Sequence, residues 1–204
     1  MKAIALAAVL FALSPLAGQE PPVAAAEAPK ARPRVQIMTS YGPVVVELEP
    51  GLAPHTVANF LQYVKEGHYA GTIFHRVIDG FMIQGGGMLP DITDKPGAHD
   101  PIPNEALETY RAGLKNTRGT IAMARTENPA SATDQFYINT ANNESLDHKD
   151  MTDAGFGYCA FGRVVSGMEV VDKIEKVTTI LRKGMQNVPE YAVRIKSAEV
   201  LPAP

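Results

Sequence analysis

The stretch FHRVIDGFMIQGG, residues 74–86, decides how this chain folds. The segment 72–77 is rich in β-branched and aromatic residues, which favour a strand. Asp79-Gly80 is a strong hairpin-turn dipeptide. An apolar segment resumes over residues 81–84, and we expect the three glycines that follow to stop this second strand. The sequence therefore predicts a β-hairpin.

The predicted hairpin should present one mixed apolar and polar surface. Alternate residues of a strand share a face, so Met82 and Gln84 should point the same way. Arg76 lies just across the turn. The expected surface is apolar, with one fixed cation and one amide at its edge. Such a surface suits an apolar, uncharged group whose polarity changes locally during a reaction.

The composition suits one globular domain and excludes several functional classes. The chain has 204 residues, 45% of them hydrophobic, and a formal net charge of −3, so no polycationic surface for nucleic acid is expected. Cys159 is the only cysteine, which excludes an intrachain disulfide and favours a small buried side chain over a reactive thiol. The five histidines lack the spacing of zinc motifs, so no metal is assigned.

Residues 1–18 have the pattern of a secretory signal peptide. Lys2 precedes the apolar run 3–13, which is too short to span a bilayer, since a spanning helix needs about 20 residues. We expect cleavage after Gly18, or as late as Ala26. Export would place the protein in the periplasm, or outside the cell in a host with a single membrane. An uncleaved N-terminal anchor is the alternative, although we expect no stable membrane anchor.

The rest of the chain divides into a linker and a domain. Residues 19–33 are rich in Ala and Pro without apolar periodicity, and we expect a flexible linker. The folded domain is expected over residues 34–204. Residues 90–114 have weak periodicity and many turn residues, which predicts loops with a short helical turn near residues 105–110.

Local patterns predict a mostly β domain with two helices. One helix should open at Pro54, where a missing N–H is harmless, and end at Gly67. The second is expected over residues 167–176. Further strands are expected over residues 121–124, 135–139, 159–165 and 193–200. Many short strands with two helices favour a closed β-barrel capped by helices.

Three ordered segments resemble the signature of the cyclophilin-type peptidyl-prolyl cis-trans isomerases. They are FHRVIDGFMIQGG at 74–86, GTIAMAR with SATDQFYI within 119–138, and LD with FGYCAFGRV within 146–164. The resemblance runs from about residue 34 to residue 202 and is strongest to the shorter, exported bacterial branch. It implies an eight-stranded antiparallel closed β-barrel capped by two α-helices. It also implies an enzyme that accelerates X–Pro isomerisation without a cofactor.

The resemblance assigns roles to single positions. Arg76 would be the catalytic residue, donating a hydrogen bond toward the prolyl nitrogen. Gln84 and Gln135 would hold the substrate backbone and orient the arginine. The main chain of Ala124 and Arg125 would pair with an extended peptide. The implied substrate-binding residues are Phe81, Met82, Gln84, Ala124, Arg125, Gln135, Tyr137, Leu146 and Tyr158.

Several positions depart from the family's usual residues. Tyr137 replaces the phenylalanine of the proline pocket, and its hydroxyl needs a partner if buried. Arg125 replaces a small amide, and we expect altered preference rather than lost activity because contacts there run mainly through the main chain. Tyr158 stands where eukaryotic members carry a histidine. Phe136 should face the core, and His75 should be a structural hydrogen-bonding residue on the face opposite the catalytic arginine.

Expected partners are proline-containing polypeptides in unfolded or extended form, and the protein is expected to be a monomer. By this hypothesis it assists the folding of exported proteins. The alternative is a peptide-binding chaperone module with little catalysis. The enzyme is favoured by the intact set of Arg76, Phe81, Met82 and Gln84, because a pure binder would not need the arginine.

Ser145 generates a prediction about inhibition. It stands where many members of the family place a tryptophan linked to tight cyclosporin binding, and this chain has no tryptophan. We therefore expect weak binding of cyclosporin. A titration of isomerase activity with the drug measures this, and inhibition in the nanomolar range would refute it.

Overall fold

The computed structural model describes residues 32–202, within which ten strands and three α-helices form. The strands are β1 (Arg34–Thr39), β2 (Gly42–Leu48), β3 (Ile73–Ile78), β4 (Met82–Met88), β5 (Thr120–Met123), β6 (Phe136–Asn139), β7 (Ala160–Ser166), β8 (Thr179–Arg182), β9 (Met185–Pro189) and β10 (Val193–Val200). The helices are α1 (Pro54–Lys65), α2 (Ala106–Arg111) and α3 (Met168–Glu175), and a 3₁₀ turn spans Glu144–Leu146.

Eight of these strands form a closed barrel, which confirms the predicted fold class. Their order around the barrel is β1-β10-β3-β4-β6-β5-β7-β2, and neighbouring strands pair antiparallel. Strands β8 and β9 pair separately as a two-stranded sheet. This small sheet was not predicted, because its side chains are largely half-exposed and give no regular apolar alternation.

Helices α1 and α3 bury their apolar stripes against the barrel core. In α1 the stripe is buried at Val57, Phe60 and Val64. The helix opens at Pro54 and ends before Gly67, whose φ of +68° suits a glycine after a helix end. Both predicted helices are therefore confirmed, and their buried apolar side chains belong to the barrel core.

A third helix, α2, occupies the stretch predicted as loops with one helical turn. It is six residues long and buries Ala106 and Thr109. Two buried positions in so short a helix leave little apolar periodicity for a sequence to show. The helical turn was therefore placed correctly, but the described residues contain three α-helices where the sequence predicted two.

The glycines at positions 85–87 were predicted to stop the second strand of the hairpin. This prediction is wrong, because all three lie inside β4. A Cβ on Gly85 would lie 2.8 Å from the backbone oxygen of Ile73, and one on Gly87 would overlap the side chain of Gln135. These glycines are needed because neighbouring groups approach the backbone of β4 closely.

The strands separate two apolar clusters. The barrel core contains residues such as Ile83, Ile121 and Ile138, which pair across β4, β6 and β5. Their strand neighbours Met82, Ala122 and Tyr137 belong to a second cluster on the other face of the same strands. Alternation along three paired strands therefore builds the core on one face and an apolar platform on the other.

The structure bears on only part of the predicted domain organisation. Strand β1 begins at Arg34, and Arg32, just before it, forms an ion pair with Glu49 at 2.9 Å. The predicted signal peptide and nearly all of the predicted linker lie in residues 1–31, outside the described residues, as do residues 203–204. Within residues 32–202, no helix is both long enough and apolar enough to cross a bilayer.

Candidate active site

A cavity of about 170 Å³ opens above the apolar platform. It is lined by Arg76, Phe81, Met82, Gln84, Ala124, Arg125, Tyr137, Leu146 and Tyr158. We call this the site cavity. Of the ten site residues predicted from the sequence, only Gln135 does not line it. This volume is below the range of about 300–1,000 Å³ that is usual for drug-sized ligands, so the cavity suits one compact group.

Arg76 reaches the site cavity because β3 contains a bulge. Phe74 pairs with Gly85 and Arg76 pairs with Gln84, so His75 is an extra residue between the two pairs. Phe74 belongs to the barrel core, and in a regular strand the residue two positions later would face the same way. The bulge turns the arginine to the opposite face, a use of bulges that is common beside active sites.

The guanidinium of Arg76 is held by a chain of two amides. Its Nη1 donates to Oε1 of Gln84 at 3.3 Å, and Nε2 of Gln84 donates to Oε1 of Gln135 at 3.0 Å. The arginine can only donate, which fixes the orientation of the first amide. The ion pairs formed among residues 32–202 do not include Arg76. Donor groups and charge therefore remain for a bound molecule.

Tyr137 forms part of the apolar wall and is only 4% exposed. Its hydroxyl donates a hydrogen bond to Oδ1 of Asn116 at 2.7 Å, and burial raises the pKa of this hydroxyl well above its usual value. The partner that a buried tyrosine requires is thus present on the protein side of the wall. The sequence indicated that a partner was needed, but no motif or spacing identified Asn116.

The side chain of Arg125 has a larger role in the site than the sequence indicated. Its guanidinium lies 4.5 Å from the ring centroid of Tyr158 and is itself part of the cavity lining. It donates to the carbonyl oxygens of Gly157 and Asp153 at 3.0 Å each. The expectation of mainly main-chain contacts at this position therefore leaves out a wall of the site cavity.

His75 occupies the bulge and is 2% exposed. Burial, and secondarily the charge of Arg76, lowers its pKa to about 4. Its Nδ1 has no hydrogen-bond partner among the described residues, so the structure does not show the predicted hydrogen bond at this nitrogen. A neutral, buried ring beside the arginine adds no charge to the site.

Two other features outside the site cavity lack the properties of a catalytic or binding site. Cys159 is 3% exposed, and burial raises the pKa of its thiol to about 12, which does not suit a nucleophile. A wider groove of about 650 Å³ is lined partly by Tyr41 and Tyr191, but it is open to solvent. Within residues 32–202 no group of three His, Cys, Asp or Glu side chains could hold a metal ion.

Comparison with known families agrees with this geometry. The family model described as cyclophilin type peptidyl-prolyl cis-trans isomerase/CLD matches residues 34–200. A peptidyl-prolyl cis-trans isomerase of Streptomyces antibioticus is 52% identical over 167 residues, covering 82% of this chain and 98% of the relative. Peptidyl-prolyl cis-trans isomerase B of Escherichia coli (strain K12) is also 52% identical over 167 residues, covering 81% of this chain and 98% of the relative.

Solved structures show the same fold. A cyclophilin type peptidyl-prolyl cis-trans isomerase of Cryptosporidium parvum is 26% identical with a TM-score of 0.65, covering 85% of this chain and 99% of that one. Its structure in the presence of the dipeptide Ala-Pro has a TM-score of 0.63 at 26% identity, covering 83% and 99% of the two chains.

The low pKa of His75 predicts acid sensitivity. A histidine with a pKa of about 4 when folded and about 6.5 when unfolded favours the folded state fully above pH 6.5. This stabilisation is lost as the pH falls to 4 and amounts to about 3 kcal/mol. Urea unfolding at pH 4 to 7 should therefore show a steeper pH dependence for the wild type than for His75→Gln.

The control is His55→Gln, at an exposed helix position, which should retain the pH dependence of the wild type. Equal slopes for the wild type and His75→Gln would show that the bulge histidine is not held neutral.

Proposed function

Because this chain belongs to the cyclophilin-type peptidyl-prolyl cis-trans isomerase family, we propose how its site performs X–Pro isomerisation and where it acts. Arg76 stabilises the twisted transition state by donating a hydrogen bond toward the prolyl nitrogen. The substrates are unfolded or extended segments of exported proteins, whose folding the enzyme assists. The observation that carries the proposal is the Arg76 guanidinium, which Gln84 holds at the edge of a compact apolar cavity and which forms no ion pair among residues 32–202.

The chemistry requires no nucleophile, metal or proton transfer. Rotation about a peptide bond crosses a barrier of about 18–20 kcal/mol because resonance gives the C–N bond partial double-bond character. At the twisted transition state this conjugation is lost, and the prolyl nitrogen becomes pyramidal and gains a lone pair. A donor near that nitrogen then binds the transition state more strongly than the planar ground state, which is the condition for catalysis.

The site cavity supplies the two parts that this reaction needs. Met82 and Tyr137 are almost fully buried and provide thioether and aromatic surface for a proline ring. Gln84 restrains Arg76 from one side, which limits the reorganisation needed when charge develops on the nitrogen. A structure of a similar protein in the presence of Ala-Pro supports a proline-containing ligand for this fold.

Loss of Arg76 should remove most of the catalysis. We expect Arg76→Ala to lower kcat/KM by about 10²–10³, as for the loss of one donor in an oxyanion hole, with little change in folding stability. Arg76→Lys keeps the charge but loses the planar fork and should recover only part of the activity. Exchange NMR on an Ala-Pro-Phe peptide measures cis–trans interconversion directly.

The matched control is Arg194→Ala, which removes an exposed arginine from β10. It should retain wild-type activity. If the wild type binds the peptide but leaves exchange at the uncatalysed rate, the chain acts as a peptide-binding chaperone module. In that case the Arg76→Ala variant should still protect unfolded client proteins as well as the wild type does.

Export is proposed from the N-terminal sequence. Lys2 followed by the apolar run 3–13 supports recognition by a secretion system. The full chain expressed in a Gram-negative host should be recovered from the periplasm, with a mature N-terminus at residue 19 or 27. A variant lacking residues 2–18 should stay in the cytoplasm. Equal distribution of the two forms would contradict export by this segment.

A further inference from the structure

We propose that three buried asparagines form a positioning network that holds the walls of the site cavity and sets its discrimination for ring size. The asparagine network consists of Asn116, Asn139 and Asn143, which are 2%, 0% and 7% exposed. The inference rests on the proposed function of the site cavity. None of the three lines the cavity, so each acts through the residues that do.

One end of the asparagine network holds the hairpin turn. Nδ2 of Asn143 donates to the carbonyl oxygen of Phe81 at 2.8 Å and to Oδ1 of Asn139 at 2.6 Å. Nδ2 of Asn139 in turn donates to Oγ1 of Thr120 at 2.9 Å and to Oδ1 of Asn116 at 3.3 Å. Hydrogen bonds thus link the three amides one after another, from the turn to the protein interior.

The other end holds three further walls. Oδ1 of Asn116 accepts the hydroxyl of Tyr137 at 2.7 Å. Its Nδ2 faces the carbonyl oxygens of Leu146 at 3.2 Å and Tyr158 at 3.1 Å, and a carboxylate oxygen of Asp147 at 3.1 Å. Carbonyl and carboxylate oxygens only accept, so the amide has one orientation that satisfies all its neighbours.

The asparagine network joins walls that the barrel ladder does not fix. Phe81 lies in the hairpin turn, Leu146 in the 3₁₀ turn and Tyr158 just before β7. Backbone bonds join Tyr158 N–H to the Leu146 oxygen at 2.9 Å and Thr140 N–H to the Phe81 oxygen at 3.0 Å. Among the described residues, the buried side-chain amides add a connection from all three segments to the Tyr137 hydroxyl. Relaxing this connection should therefore loosen the cavity while leaving the barrel closed.

Ring size gives a readout that a merely structural role would not change. Pipecolic acid has a six-membered ring, one methylene larger than proline. One methylene in a well-packed apolar pocket is worth about 10–200-fold in kcat/KM, and overpacking is rejected only when walls cannot move. A loosened site cavity should lose activity on the prolyl peptide and gain tolerance for the larger ring.

The test compares Asn116→Ala and Asn143→Ala with the wild type by exchange NMR on Ala-Pro and Ala-pipecolyl peptides, together with Tm. We expect the ratio of kcat/KM for the Ala-Pro peptide to kcat/KM for the Ala-pipecolyl peptide to fall at least fivefold in both variants. The matched control is Asn59→Ala, which removes an amide that is 7% exposed and donates to the Thr133 oxygen at 2.7 Å. It should lower Tm and leave the ratio within twofold of the wild type.

A ratio that stays at the wild-type value in folded network variants would overturn the proposal and leave the asparagines as structural residues only. If Asn116→Ala does not fold, Asn143→Ala and Tyr137→Phe decide the question, since each removes one tie from an end of the network. A wild type that does not exchange the Ala-Pro peptide would contradict the proposed function, and this inference with it. If the wild type catalyses exchange of the Ala-Pro peptide and the folded variants keep the wild-type ratio, only the asparagine network is contradicted.

Discussion

The register between β3 and β4 is the constraint on which the rest of the site depends. Because Arg76 pairs with Gln84, the guanidinium meets the amide that restrains it, and both face the apolar platform. The His75 bulge makes this register compatible with a buried Phe74, since an unbulged strand would turn one of the two side chains to the wrong face. An arginine of the site cavity and a core aromatic can therefore lie two residues apart.

The same strands serve the fold and the chemistry. Ile83 and Ile138 pair toward the core, while Met82 and Tyr137 lie on the other face and support the site cavity. The rigidity of a packed core therefore extends to the platform on which a prolyl ring would sit. The parts of the site outside the ladder need another restraint, and buried amides that satisfy one another provide it without placing an unpaired polar group in the interior.

Local signals in the sequence predicted most of the fold. The hairpin at Asp79-Gly80, helix α1 and strand β10 each depend on neighbours in sequence, and each is confirmed. The prediction for the glycines at 85–87 was wrong because glycine is required there by close contact with Ile73 and Gln135. Only the folded chain brings these residues together. Nine of the ten residues that the family resemblance indicated line one cavity. The asparagine network was not predicted, since its members are separated in sequence and amides carry no periodic signal.

A crystal structure of the wild type with an Ala-Pro-containing peptide would show directly where the proline binds. We expect the prolyl ring to lie against Met82 and Tyr137, with a guanidinium nitrogen of Arg76 within about 3.5 Å of the prolyl nitrogen. A peptide seated in the wider groove near Tyr41 and Tyr191, or an arginine turned away from the bound proline, would contradict this expectation.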